Sequence, residues 1–193
     1  LHQKLYQARA RRVRPATDDK VLVSWNALAL QAFAEAARYL ERQDYLEIAR
    51  KNAAFLLDNL YRDGHLLRAW RKDQARHEAF LEDHASLIIA LLALYQTDSD
   101  PRWFEAARHL GEDLLAGFSD SQGGFFTTRA GQPGLIHRPK EMQDNATPSG
   151  NSLAAYALLL LSEYTGRGDL RDLAEPLLAG VQHEAVQYQV AFR

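Results

Sequence analysis

Cysteine is absent from this 193-residue chain and methionine occurs once. No disulfide framework, thiol nucleophile or cysteine-ligated metal centre is therefore available, and a cytoplasmic location fits that lack. Charge of one sign is missing as well. The 23 Lys and Arg against 25 Asp and Glu leave a formal charge of -2, which gives no electrostatic case for nucleic acid or an anionic membrane as partner. The local basic run Arg9, Arg11, Arg12 and Arg14 reads as a solvated face. Long apolar runs are also lacking. Leu87–Tyr95 and Leu153–Leu161 are the longest, far short of the ~20 residues a bilayer crossing needs, and no signal-peptide pattern opens the chain. A soluble protein is expected. His77-Glu78 lacks the second histidine of a zinc helix, and neither a Gly-Lys-Ser/Thr phosphate loop nor a nucleophile elbow occurs. Metal, nucleotide and serine-hydrolase chemistry thus have no motif to carry them, and no metal or cofactor is expected.

What is present is an ordinary globular balance, 47% apolar and 25% charged, enough for one domain with a substantial core. The start at Leu1 rather than Met suggests a piece of a longer protein. Within it a pattern recurs three times. Ser24-Trp25-Asn26, Glu82-Asp83-His84 and Ser149-Gly150-Asn151 each open an apolar run. The runs from Ala27, Ala85 and Leu153 are apolar on more than one side. The segments that follow, about Asp44–Leu60, Pro101–Ala116 and Leu170–Val181, carry a single stripe. A helix apolar all round must be covered on both sides, whereas one stripe needs one cover. The first helix of each pair is therefore inner and the second outer.

Three helical hairpins, about 22–62, 82–118 and 149–183, make residues 1–193 a single partial α/α toroid domain of the all-α class. Its repeats are 58 and 68 residues apart, counted from Trp25 to Asp83 and on to Asn151, longer than the ~33–47 residues of regular short-repeat solenoids. Gly and Asp turns after the first two outer helices predict short β-hairpins. One begins with His65–Trp70; the other joins Phe125–Thr128 to Leu135–Arg138.

All inner-helix openings fall at one end of such a fold, so a functional site is expected there. Ser24 and Ser149 are expected N-caps. Asn26 and Asn151 lie where a helix wants apolar residues, so they bond neighbouring helices or face a cavity. Asp19, Glu82 and Asp83 are the nearby carboxylates. Paired carboxylates serve as general acid and base at a glycosidic or hemiacetal oxygen, although acids at helix N-termini are favoured by the macrodipole alone. His84 is the histidine best placed for proton transfer. Trp25 and Phe126 offer aromatic surfaces for the C–H face of a sugar, and Arg68, Arg138 and Lys140 offer cations for an acidic substituent. The expected assignment is Asp83, His84 and Asp19 as proton carriers, with Trp25, Asn26, Glu82, Phe126, Arg138 and Asn151 contacting a sugar-like ligand. The alternative is a non-catalytic helical scaffold for domain or protein interaction.

The string Asp18-Asp19-Lys20, Ser24-Trp25-Asn26, Ala79-Phe80-Leu81-Glu82-Asp83, Gly123-Gly124-Phe125-Phe126, Lys140-Glu141, Asp144-Asn145-Ala146 and Pro148-Ser149-Gly150-Asn151 resembles the thioredoxin-domain-containing family that includes the spermatogenesis-associated proteins. The resemblance implies a longer protein with an N-terminal thioredoxin-like domain as partner. It also implies a six-hairpin glycosidase-like toroid, similar to that of N-acylglucosamine 2-epimerases, of which three hairpins are present here. The resemblance carries no settled reaction; the expectation is a carbohydrate-active or carbohydrate-binding module, with sugar isomerase, epimerase or glycosidase-like chemistry as its catalytic form. The paired histidines of the epimerases are not matched, since only His84 stands at an inner-helix opening. Half a ring leaves inner-helix surface uncovered, so self-association is expected.

Overall fold

The computed structural model describes residues 1–187. A short helix α1 (His2–Ala10), with no buried residue, precedes a two-residue strand β1 (Val21–Leu22). Helices α2 (Val23–Tyr39) and α3 (Gln43–Leu60) form the first hairpin. Strands β2 (Tyr61–Arg62), β3 (His65–Arg71) and β4 (Gln74–Glu78) follow. The second and third hairpins are α4 (Leu81–Asp98) with α5 (Pro101–Phe118), and α6 (Gly150–Thr165) with α7 (Gly168–Gln187). The architecture is an α/α toroid segment.

The two-layer arrangement follows from the apolar patterning. Helix α4 packs between α2 and α6, while α3, α5 and α7 each back their own inner partner. Accordingly every residue from Asp83 to Leu94 is buried. Outer helix α5 buries one stripe, Trp103, Ala107, Leu110, Gly111, Leu114, Gly117 and Phe118. Its start is set by Asp100, whose carboxylate accepts the Arg102 N–H at 3.0 Å, and by Pro101 in the first turn, where a missing N–H costs nothing. In α7, Leu170, Ala174 and Leu177 are buried but Leu173 and Leu178 are exposed; the Val181 side chain lies outside the described residues.

Two expectations are corrected here. Helical spacing puts Trp25, Leu28, Ala29, Ala32, Ala36 and Leu40 on one apolar stripe of α2, but Trp25, Ala29, Ala32 and the C-cap Leu40 are exposed, Leu28 and Ala36 are half-buried, and the buried residues are Val23, Ser24, Ala27, Leu30, Ala34 and Ala37. The reason is position: α2 has α4 on one side and α3 behind it, and no described element covers its remaining face. The second hairpin is also not formed. Around Phe125 only an isolated bridge to Ser119 occurs, because other groups already take the backbone positions a ladder would use. Asn151 occupies both polar groups of Phe125, Arg138 takes the Thr128 carbonyl, and the Thr127 N–H donates to the Pro139 carbonyl at 2.8 Å.

The first hairpin region does form. β3 pairs antiparallel with β1, β2 and β4. Its turn from β2 runs through Asp63 and Gly64, both at positive φ (52° and 79°), the backbone that a two-residue hairpin turn requires. β1 enters α2 and β4 leads to α4, so this small sheet ties the openings of the first two inner helices together.

A shared rim built around one carboxylate

Asp83 stands in the first turn of α4 and is completely buried. Its Oδ2 accepts the Phe80 N–H at 2.9 Å, the reciprocal half of a capping box. Its Oδ1 accepts the Ser24 N–H at 3.1 Å. The first N–H groups of a helix have no partner within it, and here a carboxylate 59 positions away supplies one for α2. Ser24, expected to cap α2, instead lies inside the helix, whose N-cap is Leu22. Ser149 does cap α6, accepting the Ser152 N–H at 3.1 Å.

Arg68, on β3, donates to Asp83 and Glu82 at 2.8 Å each and lies over the Phe80 ring at 4.3 Å. Burial pushes the Asp83 carboxyl above its ordinary value; Arg68 and the Phe80 and Ser24 N–H groups pull it back only in part. Glu82 is less enclosed, with 28% of its side chain exposed. It borders a cleft shared by all three openings, lined by Ser24, Trp25 and Leu28 from α2, Glu82 and Ser86 from α4, and Thr147, Pro148 and Leu153 beside or on α6. The cleft holds about 20 Å³, room for a water molecule.

His84 is buried, with Nδ1 3.1 Å from the Phe80 carbonyl and Nε2 2.9 Å from Asp113 on α5. Arg129 also grips Asp113 and stacks near Phe118, as does the His84 ring. Gly117 makes the approach of Arg129 possible: a Cβ there would stand 2.8 Å from the guanidinium. Burial works to raise the Asp113 pKa, but the hydrogen bonds from His84 and Arg129 outweigh it and hold the carboxyl below its usual 3.8. A folded-state value below the unfolded one contributes stability above pH 3.8 that is lost as pH falls through the folded value. We expect Asp113→Asn to flatten the acid limb of a urea-unfolding profile between pH 5 and pH 2; a limb as steep as that of the parent would show that Asp113 does not carry it.

The remaining expected residues have other engagements. Asn151 is buried, accepts the Phe125 N–H and donates to the Phe125 and Glu141 carbonyls, all at 2.9 Å. Asn26 donates to the Leu22 carbonyl at 2.8 Å, and its own carbonyl accepts from Asn52. Arg138 donates to the Thr128 and Gly117 carbonyls and stacks on Phe126 at 4.0 Å, with Lys140 5.2 Å from the same ring. Asp19 is in the exposed segment before β1 and pairs with Arg71, apart from the buried Asp83 and His84. The structure therefore gathers Trp25, Asn26, Glu82, Asp83 and His84 around two adjoining helix starts. Of these, Trp25, 66% exposed, and Glu82 border the cleft.

Asp113, Arg129 and Ser86 were not among the residues expected from sequence. For Asp113 a signal existed: it lies three residues after Leu110 and four before Gly117, close to the buried stripe of α5, where a carboxylate needs a partner.

No protein-family model matches the chain. Spermatogenesis-associated protein 20 from Homo sapiens is 33% identical over 201 residues, covering 98% of this chain and 26% of the relative; the protein of that name from Rattus norvegicus is 32% identical over the same coverage. By sequence the chain is similar to one segment of spermatogenesis-associated protein 20. It spans about a quarter of the length of these curated relatives. Among solved structures, the cellobiose 2-epimerase of Bacillus thermoamylovorans aligns with a TM-score of 0.70 at 14% identity, over 86% of this chain and 45% of that one. The cellobiose 2-epimerase of Spirochaeta thermophila gives 0.65 at 20% identity, over 84% and 43%. The GH76 α-mannanase of Bacteroides thetaiotaomicron gives 0.68 at 14% identity, over 88% and 47%. At these identities the likeness is one of fold. No helix among the described residues is long and apolar enough to cross a membrane.

Proposed function

We propose that this chain is a carbohydrate-binding segment of an α/α toroid, with the ligand held at the rim where the three inner-helix openings meet. The observation that carries the reading is the convergence of Trp25, Glu82 and Leu153, from three separate hairpins, on one cleft. Its support from comparison is that sugar epimerases and glycoside hydrolases share this fold. In this reading Trp25 supplies a flat apolar surface to a sugar ring and Glu82, oriented by Arg68, accepts from a hydroxyl. Asp83 and His84 act from behind them, holding the rim, and Asn26 and Asn151 position its flanking backbone. If proton transfer follows, Glu82 is the carboxylate that reaches the ligand. The rest of the ring, and the thioredoxin-like domain, would belong to the longer protein and enclose the cavity.

A second reading has its own observation. The cleft of about 20 Å³ is far below the ~300 Å³ of a usual small-molecule site, which favours a non-catalytic scaffold whose exposed α2 stripe, Trp25, Ala29, Ala32 and Leu40, is covered by a second copy or by another part of the ring. One titration separates the two. Of the three tryptophans, Trp103 is fully buried and Trp70 half-buried, so quenching by a neutral disaccharide panel reports mainly Trp25. The carbohydrate reading expects saturable quenching, weakened about tenfold in Glu82→Gln, the scale of a hydrogen bond to a charged group, and calorimetric binding of the same disaccharide lost in Trp25→Ala. Absence of quenching, together with concentration-dependent sedimentation relieved by Ala32→Glu, would favour the scaffold.

A further inference from the structure

The β3–β4 hairpin carries a feature that the rim does not use. A cleft of about 410 Å³ is bordered by Lys20, Ala69, Arg71, Lys72, Gln74, Arg76 and His77, within the range of small-ligand sites. Arg68, which serves the rim, and Ala69, which borders this cleft, are neighbours on one strand. Successive strand residues face opposite sides, so the cleft is distinct from the rim.

Four cations border it, in a protein whose formal charge is -2. Two are already matched: Lys20 pairs with Asp18 and Arg71 with Asp19. Lys72 has no carboxylate partner among the described residues, and Arg76 donates to the neutral Gln74 at 2.6 Å. The backbone here is also unusual. Lys72, Asp73 and His77 all have positive φ, of 49°, 56° and 65°, in a region that non-glycine residues enter at a cost and that recurs at ligand clamps. Lys72 and Asp73 form the two-residue turn between Arg71 and Gln74, a position that normally selects Asn-Gly. At His77 the left-handed residue breaks strand alternation, which lets consecutive residues Arg76 and His77 both border the cleft.

We infer that this hairpin cleft is a second binding site, selective for a small ligand bearing an oxyanion, with Lys72 and Arg76 as its principal contacts. Arg76 offers a planar fork to the two oxygens of a carboxylate or phosphate and Lys72 a point charge; Arg71 joins by exchanging Asp19 for the ligand.

The test is calorimetric titration at low salt of the full chain carrying Trp25→Ala, which removes the aromatic surface of the rim, with three probes, glucose 6-phosphate, glucuronate and glucose. Saturable binding of at least one anion at a Kd of about 1 mM or tighter, no binding of glucose, and at least tenfold weakening in Lys72→Ala/Arg76→Ala support the site. Preference between the two anions distinguishes a phosphate from a carboxylate ligand. Both altered residues are exposed, and circular dichroism verifies the fold; should the double variant lose helix, Arg76→Gln alone carries the comparison. Failure of both anions to saturate, equal binding of glucose, or an unchanged Kd in the variant would overturn the proposal. Trp25 quenching is read separately, so loss of this site leaves the rim reading standing, and the reverse.

Discussion

Replacing Asp83 by alanine is expected to cost about 3–5 kcal/mol, the range for removing one partner of a buried, hydrogen-bonded charge pair. Its two oxygens hold the Phe80 N–H, the Ser24 N–H and Arg68, so the substitution strands two backbone donors and leaves the half-buried guanidinium with Glu82 alone. Asp83→Asn keeps one good acceptor and turns an amide N–H toward donors, with an expected cost of about 1–3 kcal/mol for the group left unpaired. Urea denaturation at pH 7 measures both. Adding Arg68→Ala to Asp83→Ala should cost less than the sum of the single variants, because the two share one network. A loss below about 1 kcal/mol for Asp83→Ala would mean that the rim does not depend on this carboxylate.

The acid response of Asp83 has the opposite sign to that of Asp113. Burial raises its folded-state value above the unfolded 3.8, so its contribution is greatest below pH 3.8 and declines as pH rises through the folded value. Arg68 and the two N–H donors limit that decline, because they stabilise the charged form. The carboxylate is thus disfavoured by desolvation and by the neighbouring Glu82, and favoured by the groups that hydrogen-bond it. A residue in that balance is suited to fixing geometry, since its partners cannot move without exposing an unpaired charge.

Asn151→Ala is expected to be the next largest effect, at about 2–4 kcal/mol, from buried backbone groups left without partners. The amide replaces a neighbouring strand: it accepts the Phe125 N–H and donates to the Phe125 carbonyl, then reaches the Glu141 carbonyl. These bonds pin both the beginning and the later part of the long connection between α5 and α6. Beside them Gly124 holds φ 74°, and a Cβ there would stand 3.2 Å from Leu177 and 3.4 Å from the Asn151 oxygen. The variant should therefore lose stability and also become sensitive to limited proteolysis within 119–148, while α2–α5 stays protected. Equal cleavage of all loops would indicate global unfolding instead, and an unchanged digestion pattern would remove Asn151 from the role of clamp.

Asn26 and Asn151 look alike in sequence, each two residues after a serine at an inner-helix opening, yet they do different work. Asn26 bonds its own helix start, whereas Asn151 builds the loop across from it. Ser24 and Ser149 diverge in the same way, one buried inside its helix and the other a cap. The local string is the same in each pair. What differs is the segment packed against it: β1 and α4 for the first, the 119–148 connection for the second.

Periodicity by itself determined the number of helices in the three hairpins and their division into inner and outer layers, because each depends on which residues must leave water; the first β-hairpin was legible from its Asp63-Gly64 turn. The same reasoning placed the openings together as a set of residues worth examining. It could not choose which stripe of α2 is covered, since that helix is apolar on two faces and only the arrangement of neighbours decides between them. Nor could it distinguish Glu82 from Asp83. Adjacent residues on a helix point about 100° apart, and only the packing of α2, β3 and α4 turned one carboxylate into a buried joint and left the other at the cleft. Hydrogen-bond satisfaction across distant segments, such as Asp83 with Ser24 or Asp113 with His84, is a property of three-dimensional neighbours, and neighbours are what tertiary structure alone assigns.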